Sequence, residues 1–318
     1  GNMINFQKKY PHRFLNVGVA EQTMIGMCAG LSMEGMRPFA YTISTFALYR
    51  PFEMVRNDIC YHNLDVTIVA TGGGLAYGAH GYTHHGIEDI AIMRCLPGMT
   101  IYVPSDRFEL DLCFDNILRN KGPKYLRLGR GKEPDIYQKA ISKSTEIVEL
   151  EKSSDVTLLV CGSILEQAIE CVKHFKNKGI NVGLYSLPII SHSLSPKIKR
   201  LLRRSSIFIT VEEHKNIGGL GSFIAELAIS MKRPPQIISC GVSPETINSI
   251  GDQEYLRKLN KLQLIDIILG HKLHVDDDSD YIHFSRQLSD ERQQRLLDLQ
   301  RVTRSELARK VKSSVTPT

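Results

Sequence analysis

Short apolar runs alternate along this chain with longer segments of helical periodicity, and that alternation restricts the fold more than any other feature. Runs with strand character stand at Val66–Ala70, Thr100–Val103, Tyr125–Leu128, Val156–Cys161, Val182–Leu187, Ile207–Val211 and Gln236–Cys240. Between most of them, apolar residues recur at helical spacing over about 20–34, 46–61, 87–95, 106–120, 165–178, 219–231 and 253–269. Strands joined by ten or more helical residues need crossover connections, and crossovers build mainly parallel sheets. The expected class is α/β.

At 318 residues the chain is longer than one typical domain, and its 42% hydrophobic and 23% charged residues suffice for about two globular cores. The pattern breaks at Gly129-Arg130-Gly131-Lys132-Glu133-Pro134, and a polar stretch follows before the next buried strand. We therefore expect a first domain at 3–130, a linker at 131–150 and a second domain at 151–271. Beyond lies a charged tail, 272–318, with an acidic turn at Asp276-Asp277-Asp278-Ser279-Asp280. Within it, 289–312 reads as a helix with Leu296, Leu297, Leu299, Val302 and Leu307 on one side, packed along its own chain or a second copy, or docking another protein. Gly1-Asn2 ahead of Met3 reads as a remnant of tag cleavage.

The formal charge of +6 is spread along the chain, and the basic clusters are as short as Lys197-Ile198-Lys199-Arg200 and Arg203-Arg204. A nucleic-acid footprint is denser, so no nucleic-acid partner is expected. Seven cysteines, an odd number without Cys-x-x-Cys spacing, suit reduced thiols better than a disulfide frame or a zinc site. No apolar stretch reaches about 18 residues and no signal-peptide core opens the chain, so we expect a cytoplasmic protein with no membrane association.

Three segments carry candidate chemistry. Asn16-Val17-Gly18-Val19-Ala20-Glu21-Gln22 runs into a helix of small and apolar residues and places Glu21 in its first turn. A glutamate there is paired, neutralised or used, and a purely structural role stays open. Phe46, Tyr49 and Phe52 recur every three residues, so one helix would present them as an aromatic wall, in the core or against a cofactor. Thr71-Gly72-Gly73-Gly74 leads into Gly78-Ala79-His80-Gly81-Tyr82-Thr83-His84-His85-Gly86-Ile87-Glu88-Asp89, a loop able to hold an anion or admit a substrate. Adjacent histidines point apart and no third ligand follows His84, His85 and Glu88 at a usual spacing, so no metal site is expected in this chain.

Taken together and in order, these segments resemble the pyrimidine-binding domain of transketolase, a thiamine-diphosphate enzyme. The resemblance includes Phe14 to Gln22, Gly35-Met36-Arg37-Pro38-Phe39-Ala40, the Thr45-Phe46 helix start, Gly81 to Asp89, and Leu96-Pro97-Gly98-Met99 through Pro104-Ser105-Asp106. Val211-Glu212-Glu213-His214 with Gly218-Gly219-Leu220-Gly221-Ser222 is similar to the carboxy-terminal domain of the same family. The similarity spans about 10–270. It implies two α/β domains with mainly parallel sheets, the pyrimidine-binding fold followed by the transketolase carboxy-terminal fold. It also implies that Glu21 hydrogen-bonds the aminopyrimidine ring and controls its tautomer, so that a ring nitrogen can take the thiazolium proton. Phe46, Tyr49 and Phe52 would enclose that ring, and His84 would move protons on substrate hydroxyls. Arg130 falls where the family often places an arginine for a sugar phosphate. Glu213, His214 and Gly218–Gly221 would serve dimer packing and loop geometry.

Departures from the family pattern are as informative. Nowhere does a Gly-Asp-Gly precede an Asn by some 25–30 residues, the family pattern for magnesium and diphosphate; Gly251-Asp252-Gln253 comes too late and has the wrong third residue. We therefore expect a split enzyme: a partner subunit with Gly-Asp-Gly holds Mg2+ and the diphosphate of thiamine diphosphate, in an α2β2 assembly that transfers a two-carbon ketol unit from a ketose donor to an aldehyde acceptor. The family's first strand and helix have no counterpart before Phe6; the partner is expected to carry them, the alternative being a trimmed domain. His80 stands for an aspartate that contacts a substrate hydroxyl, Gly72 for a phosphate-contacting histidine, and Tyr82 for a small residue or proline. With His80, Tyr82, His84 and Arg130 as substrate contacts, the acceptor is expected to lie outside the ordinary pentose-phosphate pair. Two other readings compete: a β subunit of a 2-oxo acid dehydrogenase complex passing an acyl group to a lipoyl or carrier protein, and a non-catalytic regulatory partner.

Overall fold

The computed structural model describes residues 3–131, 133–152, 155–243 and 248–258. The expected tail helix at 289–312 and the end of the expected second domain lie outside them. Two five-stranded sheets organise the chain. The first is built from β1 (Phe39–Ile43), β2 (Thr67–Thr71), β3 (Thr100–Tyr102) and β4 (Lys124–Arg127), all parallel, in the order β1-β2-β4-β3. Its helices are α2 (Glu21–Met33), α3 (Ser44–Leu48), α4 (Phe52–Met54), α5 (Asp89–Arg94) and α6 (Arg107–Arg119), preceded by a short α1 (Ile4–Lys9). The second sheet takes β5 (Val148–Glu151), β6 (Val156–Cys161), β7 (Gly183–Ser186), β9 (Ile207–Lys215) and β10 (Gln236–Val242) in the order β10-β9-β6-β7-β5, parallel except for β5. Helices α7 (Leu165–Asn177), α8 (Ser195–Leu202) and α9 (Leu220–Ile229) supply its crossovers. Strand β6 is buried along its whole length, as an apolar run covered on both faces must be.

A two-residue strand alters the expected division into two cores. β8 (Ile189–Ile190) comes from the second half of the sequence, yet pairs antiparallel with β3 and closes that edge of the first sheet. Leu187, Ile189 and Ile190 thereby join Tyr102, Val103 and Cys113 in one continuous buried cluster that runs from Ile25 to Ala228. The connecting segment is docked as well. Asp106 caps α6 through Oδ1, which accepts from Phe108 and Glu109 N–H at 2.9 and 3.0 Å. Its Oδ2 accepts from the backbone of Ile136 and Tyr137 at 2.9 and 3.1 Å.

The helix expected over 46–61 is interrupted. A turn at 49–51 separates α3 from α4, and 55–60 winds as a π-helix. Pro51 has no N–H to continue the first helix, and its ring crowds the preceding turn. Phe46, Tyr49 and Phe52 therefore do not line one helix: Phe46 stands on α3, Tyr49 in the turn and Phe52 on α4.

Candidate active site

The glycine-rich loop after β2 is shaped by what lies over and under it. Gly72 has φ +80°, and a Cβ there would fall 2.1 Å from Cδ2 of Tyr77. At Gly73 a Cβ would meet Cγ of Arg127 at 2.5 Å, so the backbone lies directly on that side chain. Arg127, on β4 and only 5% exposed, donates Nε to Asp89 Oδ2 at 2.7 Å and a second nitrogen to the carbonyls of Gly86 and Glu213, each at 2.8 Å. The Tyr125 hydroxyl donates to the same Asp89 oxygen at 2.6 Å. A buried cation so satisfied ties together three segments: the histidine-bearing loop, the start of α5, and β9. Arg127 and Asp89 were not singled out from sequence. The available signal was a charged residue inside the apolar run Tyr125–Leu128, which must have a buried partner.

On this frame the predicted residues fall into groups. His84, half-buried in a 3-10 turn at Tyr82–His84, lies edge-on to Phe46 with ring centroids 5.4 Å apart. The His80 ring is 5.0 Å from that of His84, and Tyr77 packs on both, at 6.0 Å from His80 and 6.5 Å from His84. Tyr77 is thus a member of the site that the motifs did not reveal; the signal lay in Gly72, whose missing side chain leaves room for this ring. Tyr49 and Tyr82 meet through Glu88: the two hydroxyls donate to Oε2 and Oε1, each at 2.9 Å. Lys215 of β9 forms an ion pair with Glu88 and donates to the Tyr82 hydroxyl at 3.3 Å. Burial pushes the Tyr49 hydroxyl up, with Asp89 and Glu88 adding to the shift, so it stays protonated as a donor.

Glu21 opens α2 and is 8% exposed. No side-chain hydrogen bond or ion pair joins its carboxyl to any other described residue. Its helix packs against β1, α4 and the π-helical segment, while α3, which carries Phe46, packs on the 3-10 turn of His84. Phe52 packs against the main core from α4. Arg130 is exposed and lines, with His80, a cavity of about 710 Å3. Among the described residues no three His, Cys, Asp or Glu side chains gather as a metal site requires.

The family-like residues of the second half have structural partners. Glu212 accepts from Leu220 and Gly221 N–H at 2.7 and 2.8 Å, at the start of α9. Burial raises its carboxyl above the ordinary range against those bonds. Nε2 of His214 accepts from Ala91 N–H at 3.2 Å, so Nδ1 carries the proton it donates to the Lys215 carbonyl at 2.7 Å. Glu213 accepts from Arg257 Nε at 2.7 Å and from Gln253.

The transketolase pyrimidine-binding domain matches residues 2–134 and the transketolase C-terminal domain residues 145–261. A putative transketolase C-terminal section of Methanocaldococcus jannaschii is 36% identical over 242 residues, 75% of this chain and 75% of that protein. The chain belongs to the transketolase family. Among further transketolase relatives, one subunit of an apulose-4-phosphate transketolase from Phocaeicola vulgatus is 31% identical over 76% of this chain and 78% of its own. A split-gene transketolase, solved as an inactive β4 tetramer, superposes with a TM-score of 0.71 at 33% identity, over 84% of this chain and 87% of that one. This chain is a split subunit of a transketolase-type transferase. Transketolases use thiamine diphosphate, and the residues present fit its pyrimidine end: Glu21, 8% exposed and with no partner for its carboxyl among the described residues, opens α2, and Phe46 offers a half-buried ring beside His84. No helix among the described residues is long and apolar enough to cross a membrane.

Proposed function

We propose that this chain forms, with a Gly-Asp-Gly-containing partner subunit in an α2β2 assembly, a transketolase that passes a two-carbon ketol unit to an aldehyde outside the ordinary pentose-phosphate pair. The partner holds Mg2+ and the diphosphate; this chain holds the pyrimidine. Bound thiamine diphosphate supplies an acidic thiazolium carbon and an electron sink. Glu21 hydrogen-bonds the aminopyrimidine and sets which ring nitrogen carries a proton. Phe46, Tyr49 and Phe52 cover that ring and keep water from it. Tyr49 is steadied by its bond to Glu88. His84 exchanges a proton with a substrate hydroxyl, while His80, Tyr82 and Arg130 contact the sugar.

The observation that carries this reading is Glu21, a residue only 8% exposed at the head of α2, whose carboxyl has no partner among the described residues. A carboxyl that the chain itself leaves without a donor is free to engage a ring brought in from outside it. The acceptor reading is supported by Tyr77 over Gly72, which leaves no room for a phosphate-contacting side chain at that position. Thiamine diphosphate titrated in magnesium is expected to bind tightly only when this chain and its partner are both present. Tight binding to the isolated chain would overturn the division of labour. Turnover of xylulose 5-phosphate with ribose 5-phosphate at ordinary transketolase rates would overturn the acceptor reading.

A further inference from the structure

The cavity of about 710 Å3 beside His80 is walled by both halves of the chain, and nothing in the transketolase reading accounts for its second wall. One side is Tyr77, His80 and Arg130; the other is Gln167 on α7 with Asp252 and Arg257. Tyr77 and His80 both pack on His84, so a sugar whose reacting end stands at His84 continues into this space. The volume lies within the roughly 300–1,000 Å3 of small-molecule sites.

The far wall is firmly built. Leu256 is buried with Leu75, Ile87 and Val242 under the glycine-rich loop, and Gly251 N–H donates to the Gly78 carbonyl at 3.4 Å. Arg257 is committed to Glu213 at 2.7 Å and to the Ser163 hydroxyl at 2.6 Å, so its charge is already answered. Gln167 is 8% exposed, and its Oε1 has no hydrogen-bond partner among the described residues. A buried amide oxygen left in that state calls for a donor. Glu166, Glu170, Asp252 and Glu254 also line the space, so an anionic group is opposed on this side.

We propose that this cavity binds the far end of the acceptor, an uncharged polyhydroxylated chain, with Tyr77 as the face it lies against and Gln167 as a hydrogen-bonding contact. This rests on the transketolase reading for the position of the reacting end. The test uses the assembled two-chain enzyme with glycolaldehyde, too short to reach the cavity, and a free aldohexose. Gln167→Leu is expected to lower kcat/KM about tenfold more for the aldohexose than for glycolaldehyde. Equal falls for both would overturn the subsite. Saturation-transfer NMR with sorbitol on the same complex needs no turnover, so it separates this proposal from the transketolase reading. Sorbitol signals that weaken in Gln167→Leu and in Tyr77→Ala support the site even if no ketose is consumed. Sorbitol without contact, or ribose 5-phosphate displacing it at a tenfold lower concentration, would overturn it.

Discussion

Glu21 and Glu212 both stand at the heads of helices in this chain with little exposure, and they are in opposite states. Glu212 lies on β9 and receives two backbone N–H groups from the first turn of α9. Glu21 is itself the first residue of α2, 8% exposed against 1% for Glu212, and no described residue donates to its carboxyl. A helix N-terminus favours both carboxylates through its dipole. Only Glu212 has had its lone pairs satisfied by the chain itself. The difference teaches where to look for function: in the second half the ionisable groups Glu212, Glu213 and His214 are used up in holding elements together, whereas Glu21 in the first half remains open to something not in this chain.

The largest expected effect follows directly. Glu21→Gln keeps the shape of the side chain but exchanges a carboxyl for an amide that cannot hold and release a proton. Turnover of the assembled enzyme should fall by about 10²–10⁴. Assembly with the partner, followed by size-exclusion chromatography, should be intact. Unchanged turnover would erase the contrast between the two glutamates.

The same change at the other glutamate should read out in stability. Glu212→Gln leaves one of two helix-terminal N–H groups facing an amide donor, a loss of about 1–3 kcal/mol by urea unfolding, with turnover per folded molecule retained. The pH dependence has a defined sign. Burial raises the folded carboxyl of Glu212 above its ordinary 4.5. A group whose folded value is raised contributes stability that is fully present below the unfolded value and is lost as pH rises through the folded one. The deficit of Glu212→Gln should therefore be largest near and below pH 4.5 and shrink as pH rises. A deficit that grew with pH would mean that the carboxylate, rather than the carboxylic acid, is the better partner for α9.

How far these contrasts were legible beforehand depends on whether the signal was local. Strands β4, β6 and β9 are buried over runs of four residues or more and announce themselves in any window. β8 is two residues long and acquires meaning only by pairing with β3, a partner some ninety residues away in sequence. β1 sits at a sheet edge with one fully buried residue, so its pattern is weak. The same distinction applies within the site. Glu21, Phe46 and His84 could be picked out because ordered motifs surround them. Tyr77 could not, since its role depends on the positive φ of Gly72, a property of the fold. The even spacing of Phe46, Tyr49 and Phe52 misled about their common helix, because Pro51 is a backbone effect that periodicity does not weigh.

Tyr77 and Gly72 allow the substrate side of the first half to be tested as a coupled pair. Gly72→His alone should be poorly tolerated, since its Cβ meets the Tyr77 ring and its backbone has φ +80°. Combined with Tyr77→Val, the imidazole gains room. The double variant is expected to raise kcat/KM for phosphorylated acceptors about tenfold over the Tyr77→Val single variant, the scale of one charge-assisted contact. A double variant no better than that single variant would show that Tyr77 is not what sets acceptor choice.

The smallest expected effect concerns Tyr49, which lies between the two kinds of region. Its ring belongs to the proposed pyrimidine wall, but its hydroxyl is bound to Glu88, which is paired in turn with Lys215 of the second half. Tyr49→Phe removes one exposed hydrogen bond and keeps the ring, so a loss of about 0.5–1.5 kcal/mol is expected. If Tyr49 positions the cofactor, that loss should appear as a several-fold weaker thiamine diphosphate affinity of the assembled enzyme, with kcat nearly kept at saturation. If it serves only to tie the halves together, the unfolding midpoint should move and the cofactor affinity should not. Lys215→Met sharpens the choice, because it removes the charge behind Glu88 without touching the ring. A matching rise in the cofactor dissociation constant would show that the second half also reaches the pyrimidine wall, through this carboxylate.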